Sequence, residues 1–196
     1  MSTKISAEEF YDKFADNYDS VLKSPNYNAQ YLHEATSIFH KYNHPEGNVL
    51  DIGCGTGALS ELLQGKNEYT GIDISAKMLI KAAQRGYKTI HKPIETALVE
   101  IDNQSYDYVF CLGSLLCVEN AASSIKHMGR IARKTILISL DETTEEYIKN
   151  LVVPVYDHSK IPIENAIEDY FIIGWTSPTL GIPIRTRMIY ISQNTS

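Results

Sequence analysis

Asn48-Val49-Leu50-Asp51-Ile52-Gly53-Cys54-Gly55-Thr56-Gly57-Ala58-Leu59-Ser60 is the stretch that leaves this chain the fewest ways to fold. Its first part is a short β-branched and aliphatic run, which reads as a buried strand. Glycines at the alternate positions 53, 55 and 57 then end the strand and open a helix. Without a Cβ, such a turn takes left-handed backbone angles and lets a ligand approach the main chain. The N–H groups that begin the following helix lack internal partners and favour a polar or anionic group. An acidic residue at the end of the next strand would complete a nucleotide-binding unit. Asp73 in Tyr69-Thr70-Gly71-Ile72-Asp73-Ile74-Ser75 fits, because a carboxylate accepts hydrogen bonds from both ribose hydroxyls.

Gly53-Cys54-Gly55-Thr56-Gly57-Ala58 also satisfies the dinucleotide fingerprint G-x-G-x-x-G/A, which leaves an NAD-type oxidoreductase open. The longer string of aliphatic run, Asp51 and Gly-Cys-Gly-Thr-Gly resembles the first motif of the class I S-adenosylmethionine-dependent methyltransferases. The likeness continues through Gly71-Ile72-Asp73-Ile74-Ser75 and through Ser105-Tyr106-Asp107-Tyr108-Val109-Phe110, similar to that family's fourth strand. Phe10-Tyr11-Asp12-Lys13-Phe14-Ala15-Asp16-Asn17-Tyr18-Asp19 is similar to the lid segment of its small-molecule members.

The resemblance implies an α/β fold: a Rossmann-like, doubly wound, seven-stranded and mostly parallel sheet with an antiparallel last strand, plus an N-terminal helical lid. It implies S-adenosyl-L-methionine as cofactor and methyl transfer to an oxygen or nitrogen of a small-molecule metabolite. Cofactor contacts are expected at Tyr11, Tyr18, Asp51, Gly53, Cys54, Gly55, Gly57, Asp73, Ile74, Met78, Ile94, Glu95, Leu112, Gly113 and Ser114. In that family the position of Tyr18 commonly reaches the methionyl end of the cofactor. An acid beside the adenine usually follows the third strand, and His91-Lys92-Pro93-Ile94-Glu95 departs from that pattern. Either Glu95 replaces the acid, or Ile94 offers only its backbone and an apolar face. The loop Gly113-Ser114-Leu115-Leu116-Cys117-Val118-Glu119 lacks the Asn-Pro-Pro-Tyr by which amino-methylating nucleic-acid enzymes hold a flipped base. A non-catalytic S-adenosylmethionine-binding protein remains an alternative, as does the oxidoreductase. Against the oxidoreductase stand the leader ahead of the fingerprint and the lack of a separate substrate domain.

The formal net charge of −6 argues against a nucleic-acid partner, since phosphate binding needs a basic face. No apolar run is long enough to span a bilayer, and the N-terminal residues lack the apolar core of a signal peptide, so a cytoplasmic protein with no membrane partner is expected. A length of 196 residues suits one domain, 1–196, with a helical lid over 1–46 and the Rossmann-like core over 47–196. Cys54, Cys111 and Cys117 read as small buried hydrophobes. His40 and His44 have a spacing that could clip a metal on a helix, but Asn43 and Pro45 end the helix there, and no metal is expected.

Ser6-Ala7-Glu8-Glu9 is a capping box that starts a helix near residue 7, and a second helix is expected from about Tyr27 to Tyr42. The lid tyrosines are either ordinary amphipathic packing or groups presented to cofactor and acceptor. A helix after the glycine turn should run to about Gln64, and Ser75 should cap another ending near Gly86. Strands are expected at 88–91, 106–112 and 134–140, a helix at 121–132, and a capping box Thr143-Thr144-Glu145-Glu146 before a helix ending near Leu151. Residues 152–168 suggest a functional insert or a short helix, and 169–176 with 183–192 a closing hairpin. That hairpin brings Trp175, Arg185 and Arg187 towards the ligand edge. Acceptor contacts are expected at Tyr27, Trp175 and Arg185, the arginines either clamping an anionic group or merely solvated and ion-paired. Tyr11, Tyr27, His127 and His158 are candidate bases by residue type alone, and no catalytic residue is assigned.

Overall fold

Val49, Leu50 and Ile52 are wholly buried in strand β1 (Asn48–Ile52), as are Tyr108, Val109, Phe110 and Cys111 in β4 (Tyr106–Cys111). Strands apolar on both faces need cover from both sides, and a parallel sheet between helix layers supplies it. The computed structural model describes residues 4–24, 30–42, 44–63, 65–173 and 184–193. Around β1 and β4 stand β2 (Glu68–Asp73), β3 (Lys88–His91), β5 (Ala132–Glu142), β6 (Ala166–Ile173) and β7 (Ile184–Ser192). They form one seven-stranded sheet in the order β3-β2-β1-β4-β5-β7-β6. β1 to β5 are parallel, and β7 is antiparallel to both its neighbours. The order reverses between β1 and β4, which opens a crevice at the carboxyl ends of these strands.

One face of the sheet packs Tyr108, Phe110, Leu137 and Met188 against α1 (Ala7–Leu22) and α2 (Gln30–Lys41) through Leu22, Leu32 and Phe39. The other packs Ile52, Ile72, Ile136 and Ile138 against α5 (Ile94–Glu100) and α6 (Ala121–Ile131) through Leu98 and Met128. Between these lie the short α3 (Leu59–Leu62), α4 (Ala76–Gln84), a 3-10 turn at Leu115–Cys117 and α7 (Glu145–Asn150). Ser6 caps α1 by accepting from the Glu9 N–H, and Ser75 caps α4 by accepting from the Met78 N–H. No helix of the described residues is long and apolar enough to cross a membrane.

Several boundaries differ from the sequence reading. α3 stops at Leu62 because the tight bonds Ser60 N to Gly57 O and Glu61 N to Ala58 O spend most of the segment on a turn; Gln64 lies outside the described residues. The α7 cap is Thr144, which accepts from the Tyr147 N–H, so the box was displaced by one residue. β6 begins at Ala166, just past Asn165 at φ 57°. No helix forms over 152–165. That segment is a strap, fixed where Tyr156 N donates to Leu116 O and where Arg187 donates to Ser159 O and Ile161 O. The expected start of α2 at Tyr27 and the turn between β6 and β7 lie outside the described residues.

α1 is fastened along the crevice from above. Asp12 accepts from Ser75 Oγ (2.6 Å) and Lys77 N (3.2 Å), and Lys81 Nζ donates to Ala15 O (2.7 Å). Asp19 accepts from Thr56 Oγ1 (2.6 Å) and Arg85 Nη2 (2.9 Å), while Arg85 also donates to Glu61 (2.7 Å) and Thr56 O (2.8 Å). Burial alone would raise the Asp19 carboxyl; the Thr56 hydroxyl and the Arg85 guanidinium outweigh it and hold it below its ordinary range.

Candidate functional site

A cleft enclosing about 680 Å³ of non-protein space, part of it open to solvent, lies at the carboxyl edge of β1, β2 and β4 beneath α1. The β1–α3 turn supplies Gly53 and Gly55, the end of β2 supplies Asp73 and Ile74, and α4 supplies Met78. Ile94 and Glu95 come from the start of α5, Leu112, Gly113 and Ser114 from the loop after β4, and Tyr11 and Tyr18 from the lid helix. All these sequence-predicted positions therefore converge on one cavity.

Gly53 stands at φ +67°, and a Cβ there would overlap Cβ and Oγ of Ser114. Ser114 is itself fixed, donating to Ile52 O (3.1 Å) and lying 3.2 Å from Cys111 Sγ. The two walls of the crevice thus meet where only a glycine fits. Asp73 is 8% exposed; its Oδ2 accepts from Gly55 N (2.8 Å) and its Oδ1 from Ser75 N (2.8 Å). Burial pushes this carboxyl up, against the backbone N–H groups of Ser75, Gly55 and Ile74. One side chain therefore sets the glycine turn and still faces the cleft, with lone pairs left for hydroxyl donors. Burial also pushes the Tyr11 and Tyr18 phenols well up, so both stay neutral, with the Tyr18 hydroxyl 3.3 Å from that of Tyr31.

Three predicted contacts do not line the cleft, and one tyrosine explains all three. Tyr87 donates to Asp51 Oδ2 (3.0 Å). A Cβ on Gly57 would come within 2.9 Å of the Tyr87 ring, and one on Gly71 would strike both Tyr87 and Cys54. Asp51, Cys54 and Gly57 lie around Tyr87, behind the turn residues that line the cleft. Nothing in the motif singles out Tyr87, which lies between α4 and β3. Ala7, Pro93, Cys117 and Val118 also line the cleft and were missed, although the last two sit in the loop expected to face the methyl donor.

Arg185 is not brought to the cleft. It lies 4.0 Å over the Tyr170 ring and 3.7 Å from Glu142. Arg187 is buried and held by Glu168 at 2.7 and 3.2 Å. Strand alternation is the reason: Thr186 pairs with Asp141 beneath the lid, which turns residues 185 and 187 to the opposite sheet face. Tyr27 and Trp175 lie outside the described residues. His40 Nε2 meets Leu62 O, whereas His44 meets Thr135 and Tyr190, so the two histidines face different neighbours. His158 Nε2 is spent on Val118 O at 2.6 Å, and His127 Nδ1 accepts from Arg130.

Burial raises the Asp51 carboxyl to about 7, against the hydrogen bond from Tyr87 and with a further push from Asp73. Its folded value lies above its unfolded value near 4. Its contribution to stability is therefore fully present below about pH 4 and is lost as pH rises through about 7, at about 1.4 kcal/mol per pH unit. Asp51→Asn, which keeps an acceptor for Tyr87, should flatten this loss. Urea unfolding at pH 5 and pH 8 measures it, and an unchanged difference between the two pH values would show that Asp51 is ionised throughout.

A family described as a methyltransferase domain matches residues 50–135. The chain is 28% identical over 134 residues to an uncharacterized protein of Methanocaldococcus jannaschii, a match covering 66% of this chain and 49% of that protein. The chain thus spans about half the length of that relative. It is 26% identical over 171 residues to a ubiquinone biosynthesis O-methyltransferase of Serratia proteamaculans, covering 80% of this chain and 67% of that one. The fold is similar to that of the N-methyltransferase NodS of Bradyrhizobium japonicum WM9, solved in complex with S-adenosyl-L-homocysteine. The TM-score is 0.70 at 16% identity, over 98% of this chain and 100% of that one.

Proposed function

We propose that the chain is a class I S-adenosylmethionine-dependent methyltransferase whose cleft binds S-adenosylmethionine and directs the methyl group to an oxygen or nitrogen of a small-molecule acceptor, a reading supported by the methyltransferase-domain match over residues 50–135. The observation that carries this reading is the convergence of a bare glycine turn, a cleft-facing Asp73 and two lid tyrosines on one cavity. Asp73 would accept the ribose hydroxyls, and the main chain at Gly53 and Gly55 would receive the part of the ligand that needs close approach. Ile74, Met78 and Ile94 offer apolar surface for the adenine, with Glu95 at its rim. Tyr11 and Tyr18, as neutral hydroxyl donors on a clamped helix, would cover the methionyl end and exclude water.

S-adenosylmethionine, when bound, supplies a methyl group already activated on a sulfonium. The chain's remaining task is to hold an acceptor in line and keep the cleft dry, and such positioning alone contributes several orders of magnitude in rate. The NAD reading predicts the opposite ligand preference. Isothermal titration calorimetry separates them: S-adenosylmethionine binding at micromolar levels with no heat from NAD supports the methyltransferase, and the reverse overturns it. A protein that binds the donor yet forms no S-adenosylhomocysteine with any metabolite extract would be the non-catalytic alternative.

A further inference from the structure

We propose that the acceptor is an amine, and that Asp141 at the carboxyl end of β5 is the counter-ion that recognises it. This rests on the cleft being the methyl-donor site.

The charged groups lining the cleft are Asp73 and Glu95, and no lysine, arginine or histidine among the described residues lines it. Every lysine and arginine of the chain lies among the described residues. Arg185 and Arg187, on the strand beside β5, are engaged by Glu142 and Glu168 on the far face of the sheet, and Arg85, which bonds the glycine turn at Thr56 O, is engaged by Asp19 and Glu61. An acceptor recognised through a carboxylate or phosphate would find no cation to hold it, and setting like charges together costs several kcal/mol.

Asp141 sits one step behind the acceptor end of the same cleft. Ser139, two residues earlier on the same face of β5, accepts from the cleft-lining Gly113 N–H at 2.7 Å. Asp141 accepts from Thr186 Oγ1 at 2.6 Å, and its carboxylate has no ion-pair partner among the described residues. Among the described residues, the groups found to interact with it are Thr186 on β7, Tyr147 on α7 and Cys117 on the 3-10 turn, and none of these is basic. Cys117 lines the cleft beside Tyr11. Burial pushes the Asp141 carboxyl up against the Thr186 hydrogen bond, as expected of a carboxylate left without a cation. A protonated amine supplies the missing charge. Transfer of one proton from the ammonium to this carboxylate leaves the neutral amine with its lone pair free for attack. The apolar walls at Leu112 and Val118, with the Tyr11 ring, suit an amine carried on an apolar or aromatic body.

Two measurements test this on the full chain. First, the protein is incubated with labelled S-adenosylmethionine and fractionated cell extract, and the labelled products are passed over ion exchangers at neutral pH. Products retained on the cation exchanger support an amine; labelled products that are neutral or anionic overturn it. No donor binding, or donor binding with no labelled product, overturns the methyltransferase reading instead. Second, the S-adenosylhomocysteine-saturated protein is titrated by calorimetry with phenethylamine, 2-phenylethanol and phenylacetate, which share one frame and differ in the end group. Phenethylamine should bind at least tenfold tighter than the other two. Asp141→Asn should remove that preference, Asp141→Glu should restore part of it, and S-adenosylhomocysteine affinity should stay within twofold in both variants. No preference for the amine in the wild type, or an equal preference in Asp141→Asn, overturns the proposal.

Discussion

Gly53→Ala is expected to weaken S-adenosylmethionine binding by at least about 30-fold. Two costs add. An L-residue at φ +67° gives up about 1–2 kcal/mol. The new Cβ also overlaps Ser114 Cβ and Oγ, and overpacking of a fixed site typically costs about 1–3 kcal/mol. Ser114 cannot rotate away freely, because its hydroxyl is bonded to Ile52 O. The strain is relieved only if the β1 turn and the loop after β4 move apart, and both line the cleft. Calorimetry with S-adenosylmethionine measures the loss. A Gly53→Ala, Ser114→Gly double variant should recover the overlap component but not the backbone component. Wild-type affinity in the single variant would mean that the ligand does not depend on this junction.

Asp73→Ala should weaken binding of the donor and of S-adenosylhomocysteine by the same factor, about 10- to 100-fold, since both carry the ribose. A hydrogen bond to a charged group contributes about 1.5–3 kcal/mol. The variant should also unfold more easily, because the N–H groups of Gly55 and Ser75 lose their acceptors in a buried setting. Asp73→Asn retains one carbonyl oxygen but places an NH2 group against a backbone N–H, so it should recover only part of either property. Binding assays with both ligands, paired with urea unfolding, distinguish the two contributions. Lower stability with undiminished affinity for both ligands would assign Asp73 to the turn alone.

Much of this was legible in the chain because the informative residues obey local rules. The strand at 48–52, the turn at 53–57 and the acid at 73 are each demanded by backbone geometry, so spacing alone locates them. The caps at Ser6 and Ser75 were equally local. What escaped was set by tertiary contact. Tyr87 lies outside every motif, yet it occupies the space that Gly57 and Gly71 leave and bonds Asp51, so that Asp51, Cys54 and Gly57 stand behind the cleft lining. The spacing of Arg185 and Arg187 allows either an anion clamp or merely ion-paired arginines, and the fold gives the second. The pairing of β7 with β5 aims them away from the lid face, and register across strands distant in sequence cannot be read from the residues themselves. Asp141 carries no signal at all until the fold sets Cys117, Tyr147 and Thr186 around it.

The central claim, that the glycine turn, Asp73 and the lid tyrosines form a single adenosine-binding cleft, is tested most directly by a crystal structure of this chain with S-adenosylhomocysteine. The account predicts the ribose hydroxyls on the Asp73 carboxylate, the adenine between Ile74 and Ile94, and the homocysteine end beside Gly53 under Tyr11 and Tyr18. Density for the ligand outside this cleft, or a cleft left empty at saturating ligand, would contradict it.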